Sequence, residues 1–355
     1  MYETILSSRL ALDAAFLLSP LHQQNSTGSD SESDHYFTHV RQSLVGKAHP
    51  DEGDAMAALT VVSWVILRGG RGQWQEFLDV ACRYADDVLF RPECDGPQAA
   101  LMQCSPTTRF IIKTSMWYDV VASTARIEVP RFLQVFRDVF DPNHIDGVDG
   151  SLPSVPEELS MLPIIGCESH IVWALAEISD LAIWKDRQKE RGAFNAQELV
   201  NRGNKIETHI MPPISLPAFD SELEHTRVLT SQVFRASARV YLHSVLSGDY
   251  PNCQGIANGV KDAIHWLQQV PELSAPSVVR SVAFSICIGS CLTDVPWQRN
   301  FLLELLTMKH ESATAVGNWA EMKRLIQEIW FSRKTSGYES VNWRDVMRKT
   351  EMLLV

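Results

Sequence analysis

Between Ser277 and Thr293 the chain carries a single charged side chain, Arg280. A helix that apolar on every face is too short for the ~20 residues that span a bilayer. It has to be buried on all sides by other elements of the same protein. The rest of the sequence supplies them. Apolar residues recur at helical spacing almost throughout, and alternating strand-like runs are nearly absent. Leu6, Leu10, Ala14 and Leu17 share one face of a helix over 4–18. Ala55 to Leu67 is strongly apolar and stops at Gly69 and Gly70. Trp74, Phe77, Ala81, Tyr84 and Val88 mark the next helix, which Pro92 ends.

Further helices are expected at 110–125 and 169–191, the latter with Gly192 at its C-terminal end. Asn195 with Glu198 reads as a capping box for a helix reaching Ile210, where Pro212 and Pro213 forbid continuation. Stripes follow through Phe234, Ala238, Tyr241 and Val245, and through Ile256, Val260, Ile264 and Leu267. The chain closes with helices near 297–309, 318–332 and 342–354. Two stretches read as loops: the polar Gln24 to Asp34, and the acidic, proline-rich 141–160, which is also a lobe boundary candidate. The expectation is one all-α domain over 1–355, built of packed antiparallel helices.

Composition narrows the function. Asp and Glu number 43 against 32 for Lys and Arg, a net charge of −11, which opposes contact with a phosphate backbone. The cysteines, Cys82, Cys94, Cys104, Cys167, Cys253, Cys287 and Cys291, are odd in number and scattered, as expected of reduced thiols inside the cell.

Catalytic and metal signatures are weak. Gly69-Gly70-Arg71-Gly72 follows a helix, so it reads as a tight helix–helix connection needing positive φ and not as a dinucleotide loop. His310-Glu311 lacks a second histidine. Asp141-Pro-Asn143 opens like a calcium loop, but Ile145 and Leu152 break the oxygen cage. His35 with His39, and Cys287 with Cys291, are spaced to share a helix face, yet two ligands do not close a zinc site. Asp86-Asp87 invites comparison with all-α terpene synthases, but Phe90 occupies the place of the third acid. The basic clusters Lys185–Arg191 and Arg344–Lys349 are interleaved with acids and read as solvated faces. No cofactor and no catalytic or metal residue is expected.

Several blocks in order resemble the fungal-specific transcription factor domain that follows the six-cysteine cluster of fungal regulators. They are Trp64 to Trp74, Phe110 to Ala125, Ile165-Gly166-Cys167, Phe234 to His243 with Ser247-Gly248 and Pro251, Val279-Arg280, Gly317-Asn318, Ile329-Trp330, and Asn342-Trp343 through Leu354. The resemblance implies an all-α regulatory domain of a nuclear factor, acting through the transcriptional machinery, regulatory proteins or a small-molecule effector. The cluster itself is absent from these residues, so DNA reading is not expected of them, and no membrane contact is implied. Two other classes stay open: an orphan helical ligand-binding or protein-interaction domain, and, more distantly, a terpene-synthase-like enzyme.

Within the domain, Trp117, Tyr118 and Asp119 form the most conspicuous polar-aromatic group. It reads either as a ligand-facing wall or as a core junction in which Asp119 satisfies a buried donor; helical spacing favours the junction. Arg235 and Arg239, one turn apart, fit a clamp on an acidic helix terminus or on a ligand.

Overall fold

The computed structural model describes residues 2–18, 29–140, 156–210, 221–271, 274–307, 318–336 and 341–354. Among these residues every regular element is a helix. The helix Glu52–Leu67 shows why one begins where it does. Asp51 Oδ1 accepts from the Asp54 amide at 2.9 Å while Asp54 Oδ2 accepts from the Asp51 amide at 2.8 Å, so two otherwise unpaired donors are satisfied reciprocally. It packs against Arg9–Phe16, Trp74–Leu89 and Pro106–Arg126. A second group gathers around the long helix Glu222–Ser247, which touches Ser169–Glu190, Ala196–Ile210, Gln254–Leu267 and Ala283–Cys291.

The tightest pairing in the second group is between Glu222–Ser247 and Gln254–Leu267. At Gly259 a Cβ would lie 2.7 Å from Val240 Cγ2, so only glycine permits that approach. The helix Pro106–Arg126 joins the groups by contacting both Glu52–Leu67 and Ser169–Glu190. Buried side chains form one connected core from Ala11 to Leu354. The fold is a single all-α domain.

Several boundaries move relative to the sequence reading. The first helix breaks at Ser8, whose hydroxyl caps Arg9–Phe16; the break turns Leu6 outward, 70% exposed, while Ala14 and Leu17 stay buried. The polar loop placed over 24–34 is helical from Ser29, because Ser29–Leu44 extends N-terminally from the part anchored by Val40 and Leu44. Extending a nucleated helix is cheap even for polar residues. Residues 24–28 lie outside the described set, as do 141–155 of the acidic loop and the calcium-like Asp141-Pro142-Asn143. The end of that loop is fixed: Lys113 Nζ donates to the Ser160 carbonyl at 2.6 Å.

The segment 277–293 is two helices, Ala275–Ser281 and Ala283–Cys291, parted at Val282. Only the second is buried on every face; Ser277, Arg280 and Ser281 are exposed. At Asn195 half of the expected capping box forms. Its side chain accepts from the Gln197 and Glu198 amides, but the Glu198 carboxylate turns to Arg202 at 2.7 Å. The last helix, Trp343–Thr350, stops early because Glu351 adopts a left-handed conformation, φ 49°. Residues 352–354 therefore run as a non-helical strap.

Candidate functional site

The helix Pro106–Arg126 places its three conspicuous residues in separate environments. Trp117 meets Phe234 edge-on at 5.4 Å between ring centres, welding the two groups of helices. The Tyr118 hydroxyl is 3.2 Å from that of Ser63. Asp119 accepts from the Phe132 amide at 3.2 Å, which fixes the turn leading into Leu133–Phe140. Burial raises the Asp119 carboxyl to about 6 against the pull of that amide and of Arg126. The group is a core junction.

Arg239 clamps Asp262 of the neighbouring helix at 3.0 Å. Arg235, half-buried one turn away, has its pKa lowered by burial and by Arg239. Asp86 pairs with Arg131 and Asp87 faces His49, so the two acids diverge. His39 contacts Asp13 at 3.3 Å, and His35 packs edge-on to Tyr36. Cys287 and Cys291 are buried against one another, and that contact with burial raises the Cys287 thiol well above its ordinary range. Among the described residues no group of three or more His, Cys, Asp and Glu could hold a metal ion.

The two basic clusters are not both solvated. Arg344, only 8% exposed, reaches Asp186 at 3.4 Å and lies beside the Tyr241 hydroxyl. Lys185 donates to the Val245 carbonyl, and burial lowers its pKa. Between the two cations sits Asp249, buried and raised to about 6 by desolvation against the attraction of Arg344 and Lys185. Ser179 lies 3.4 Å from the Tyr241 hydroxyl, and Trp343 closes over Tyr241 with ring centres 5.5 Å apart. A largely buried polar knot therefore links the helices Ser169–Glu190, Glu222–Ser247 and Trp343–Thr350. Solvation failed as a reading because charges distant in sequence meet and neutralise one another. Lys189, Arg348 and Lys349, on the outer faces, fit it.

The glycine turn has a partner that spacing could not reveal. Gly69, Gly70 and Gly72 all have positive φ, as a tight connection requires. Gly70 in addition receives the strap: its carbonyl accepts from the Leu353 amide at 2.9 Å, and a Cβ there would lie 2.7 Å from the Leu353 oxygen. Trp74 Nε1 donates to the Glu351 carbonyl at 2.9 Å and Asn318 Nδ2 to the Leu353 carbonyl at 3.2 Å. Met352, Leu353 and Leu354 are fully or almost fully buried, each contributing roughly 1.5–3 kcal/mol of transfer free energy. The strap ties residues 352–354 to the first group of helices.

A second ionic cluster remains open to solvent. Asp294 accepts from Arg299 and, at 2.9 Å, from Arg333. Arg333 is sealed, 1% exposed, and its second amino group donates to the Cys291 carbonyl at 2.6 Å. Above them Arg299 stacks 4.4 Å over the Trp330 ring. No sequence signal joined Asp294 to Arg333, since one lies in a loop and the other reads as an ordinary charge near a helix end.

Comparison with known proteins places this architecture. The family described as fungal specific transcription factor domain matches residues 2–355. The chain is 22% identical over 199 residues to the trichothecene biosynthesis transcription regulator of Fusarium sporotrichioides, covering 56% of this chain and 46% of that one. It is 23% identical over 257 residues to the ustiloxin B cluster transcription factor of Aspergillus flavus, covering 68% and 41%. With the pestheic acid cluster transcriptional regulator 3 of Pestalotiopsis fici it shares 21% identity over 353 residues, covering 87% and 58%. It spans about half the length of these relatives. No solved structure matches it. With a match running from the first described helix through the strap, the chain belongs to the fungal-specific transcription factor domain family.

Proposed function

We propose that this chain is the regulatory domain of a fungal transcription factor that controls a biosynthetic gene cluster. The observation that carries the reading is the family match over 2–355, joined to relatives named for trichothecene, ustiloxin B and pestheic acid biosynthesis. It works by protein or small-molecule contacts and not by catalysis, in the nucleus, with transcriptional machinery or regulatory proteins as partners. Among the described residues no helix is long and apolar enough to cross a membrane.

The net charge of −11 disfavours the Lys and Arg contacts that drive even non-specific DNA binding. This stretch is therefore expected to leave duplex DNA unbound at physiological salt; micromolar binding that weakens steeply with added salt would refute that part. For the regulatory role, the chain is fused to a heterologous DNA-binding domain and read on a reporter, and transcripts are profiled after deletion of the gene in its source organism. Altered reporter output and coordinated loss of one contiguous set of biosynthetic transcripts are expected. A fusion indistinguishable from the bare DNA-binding domain, with no linked transcripts changed, would reject the role.

A further inference from the structure

Where Pro296–Thr307 lies against Trp319–Thr335 the surface holds a hollow of about 190 Å³, lined by Asp294, Arg299, Trp330, Phe331, Arg333 and Lys334. The lining includes three cations and one carboxylate. Asp294 is already shared by Arg299 and Arg333, and Lys334 makes no ion pair among the described residues. A local excess of positive charge runs against the trend of a chain with 43 acidic and 32 basic side chains. The aromatic wall is fixed in place. Trp330 Nε1 donates to the Ser290 carbonyl at 2.8 Å, and Arg299 covers one face of its ring. Phe331 beside it is 70% exposed and adds an apolar face to the hollow.

We propose that this hollow binds a small aromatic carboxylic acid, with its ring against Trp330 and Phe331 and its carboxylate between Arg299 and Lys334. Size sets the limit. A cavity of about 150 Å³ accommodates benzene, whereas sites for drug-sized ligands begin near 300 Å³. One ring and a carboxylate fit; a fused polycycle does not. Charge-assisted hydrogen bonds from a guanidinium and an ammonium favour the anion over its neutral amide, and an open site makes that preference sensitive to salt. Arg333 is a positioning residue. Buried beneath the hollow, it holds Asp294, and Asp294 in turn holds Arg299. Such a site would give the regulatory domain an effector, and only that consequence rests on the function proposed above.

Calorimetric titration of the purified chain with benzoate and with benzamide tests the site, alongside Phe331→Ser and Lys334→Gln. Both residues are exposed, and circular dichroism verifies that the variants fold. Saturable benzoate binding is expected, about tenfold tighter than benzamide, several-fold weaker in each variant, and weaker at high salt. Absence of saturable benzoate binding, equal affinity for the amide, or variants that bind as the parent does would overturn the proposal. The reporter fusion reads the regulatory role separately: a fusion that regulates while benzoate fails to bind loses only the hollow, and binding without regulation loses only the role.

Discussion

The polar knot around Asp249 and the hollow around Asp294 are built from the same parts, an acid between cations beside a tryptophan, and differ in what covers them. In the first, Arg344 and Asp249 are buried, and the penalty of burial shows in Asp249, raised to about 6. In the second, Arg333 is sealed but Phe331 and Lys334 are exposed and Arg299 partly so. A closed cluster is committed to holding helices together. An open one leaves Lys334 exposed, with no ion pair among the described residues. Burial, more than residue type, separates structural from ligand-directed ion pairs.

The comparison can be broken most forcefully at Arg344. Arg344→Met removes the stronger of the two cations that act on Asp249 and should cost roughly 3 kcal/mol, the low end for breaking a buried pair, because Lys185 remains; urea denaturation measures it. A loss below 1 kcal/mol would mean that the knot is wetter than the geometry implies. Gly70→Ala comes next. It forces a Cβ against the Leu353 carbonyl at φ +75°, and release of the strap should cost roughly 2–4 kcal/mol. Faster proteolysis near Glu351 is the accompanying sign.

A smaller effect concerns pH. Asp119, like Asp249, is raised to about 6, above the unfolded value near 4. The folded state therefore keeps protons that the unfolded state has released. Stability falls as pH rises from about 4 to about 6 and is level above that. Asp119→Asn keeps an acceptor for the Phe132 amide and removes this titration. Relative to the parent, it should gain on the order of 2–3 kcal/mol between pH 4 and pH 7. A stability difference between the two proteins that stays constant across that range would place Asp119 in contact with water. Smallest of all, Phe331→Ser and Lys334→Gln should shift stability by under about 0.5 kcal/mol, since neither is buried. A large loss of melting temperature would make the open cluster as structural as the buried one.

Helices that bury one clear stripe were legible in order. Ile256, Val260, Ile264 and Leu267 are all buried on one helix, and Phe234, Ala238, Tyr241 and Val245 on another. The breaks at Ser8 and Val282 were not legible, because periodicity continues across a kink that only packing imposes. The left-handed turn at Glu351 left no residue signature either, since glycine is the usual occupant of that conformation. The ionic sites escaped for a different reason. Arg344 meets Asp186 and Asp294 meets Arg333 across separations at which local charge patterning carries no information.

By itself, then, the sequence determined an all-α chain with a nearly uncharged segment that is buried in its second half, an excess of acidic residues and a glycine turn between two helices, because helical spacing and backbone permissiveness are local properties. Only the tertiary structure decided that Gly70 receives the Leu353 backbone, that the half-buried Lys185 and the buried Arg344 both act on Asp249, and that Asp294 lies at an open hollow. Each of these depends on desolvation and on contacts between distant residues, quantities that exist only once the chain has closed on itself.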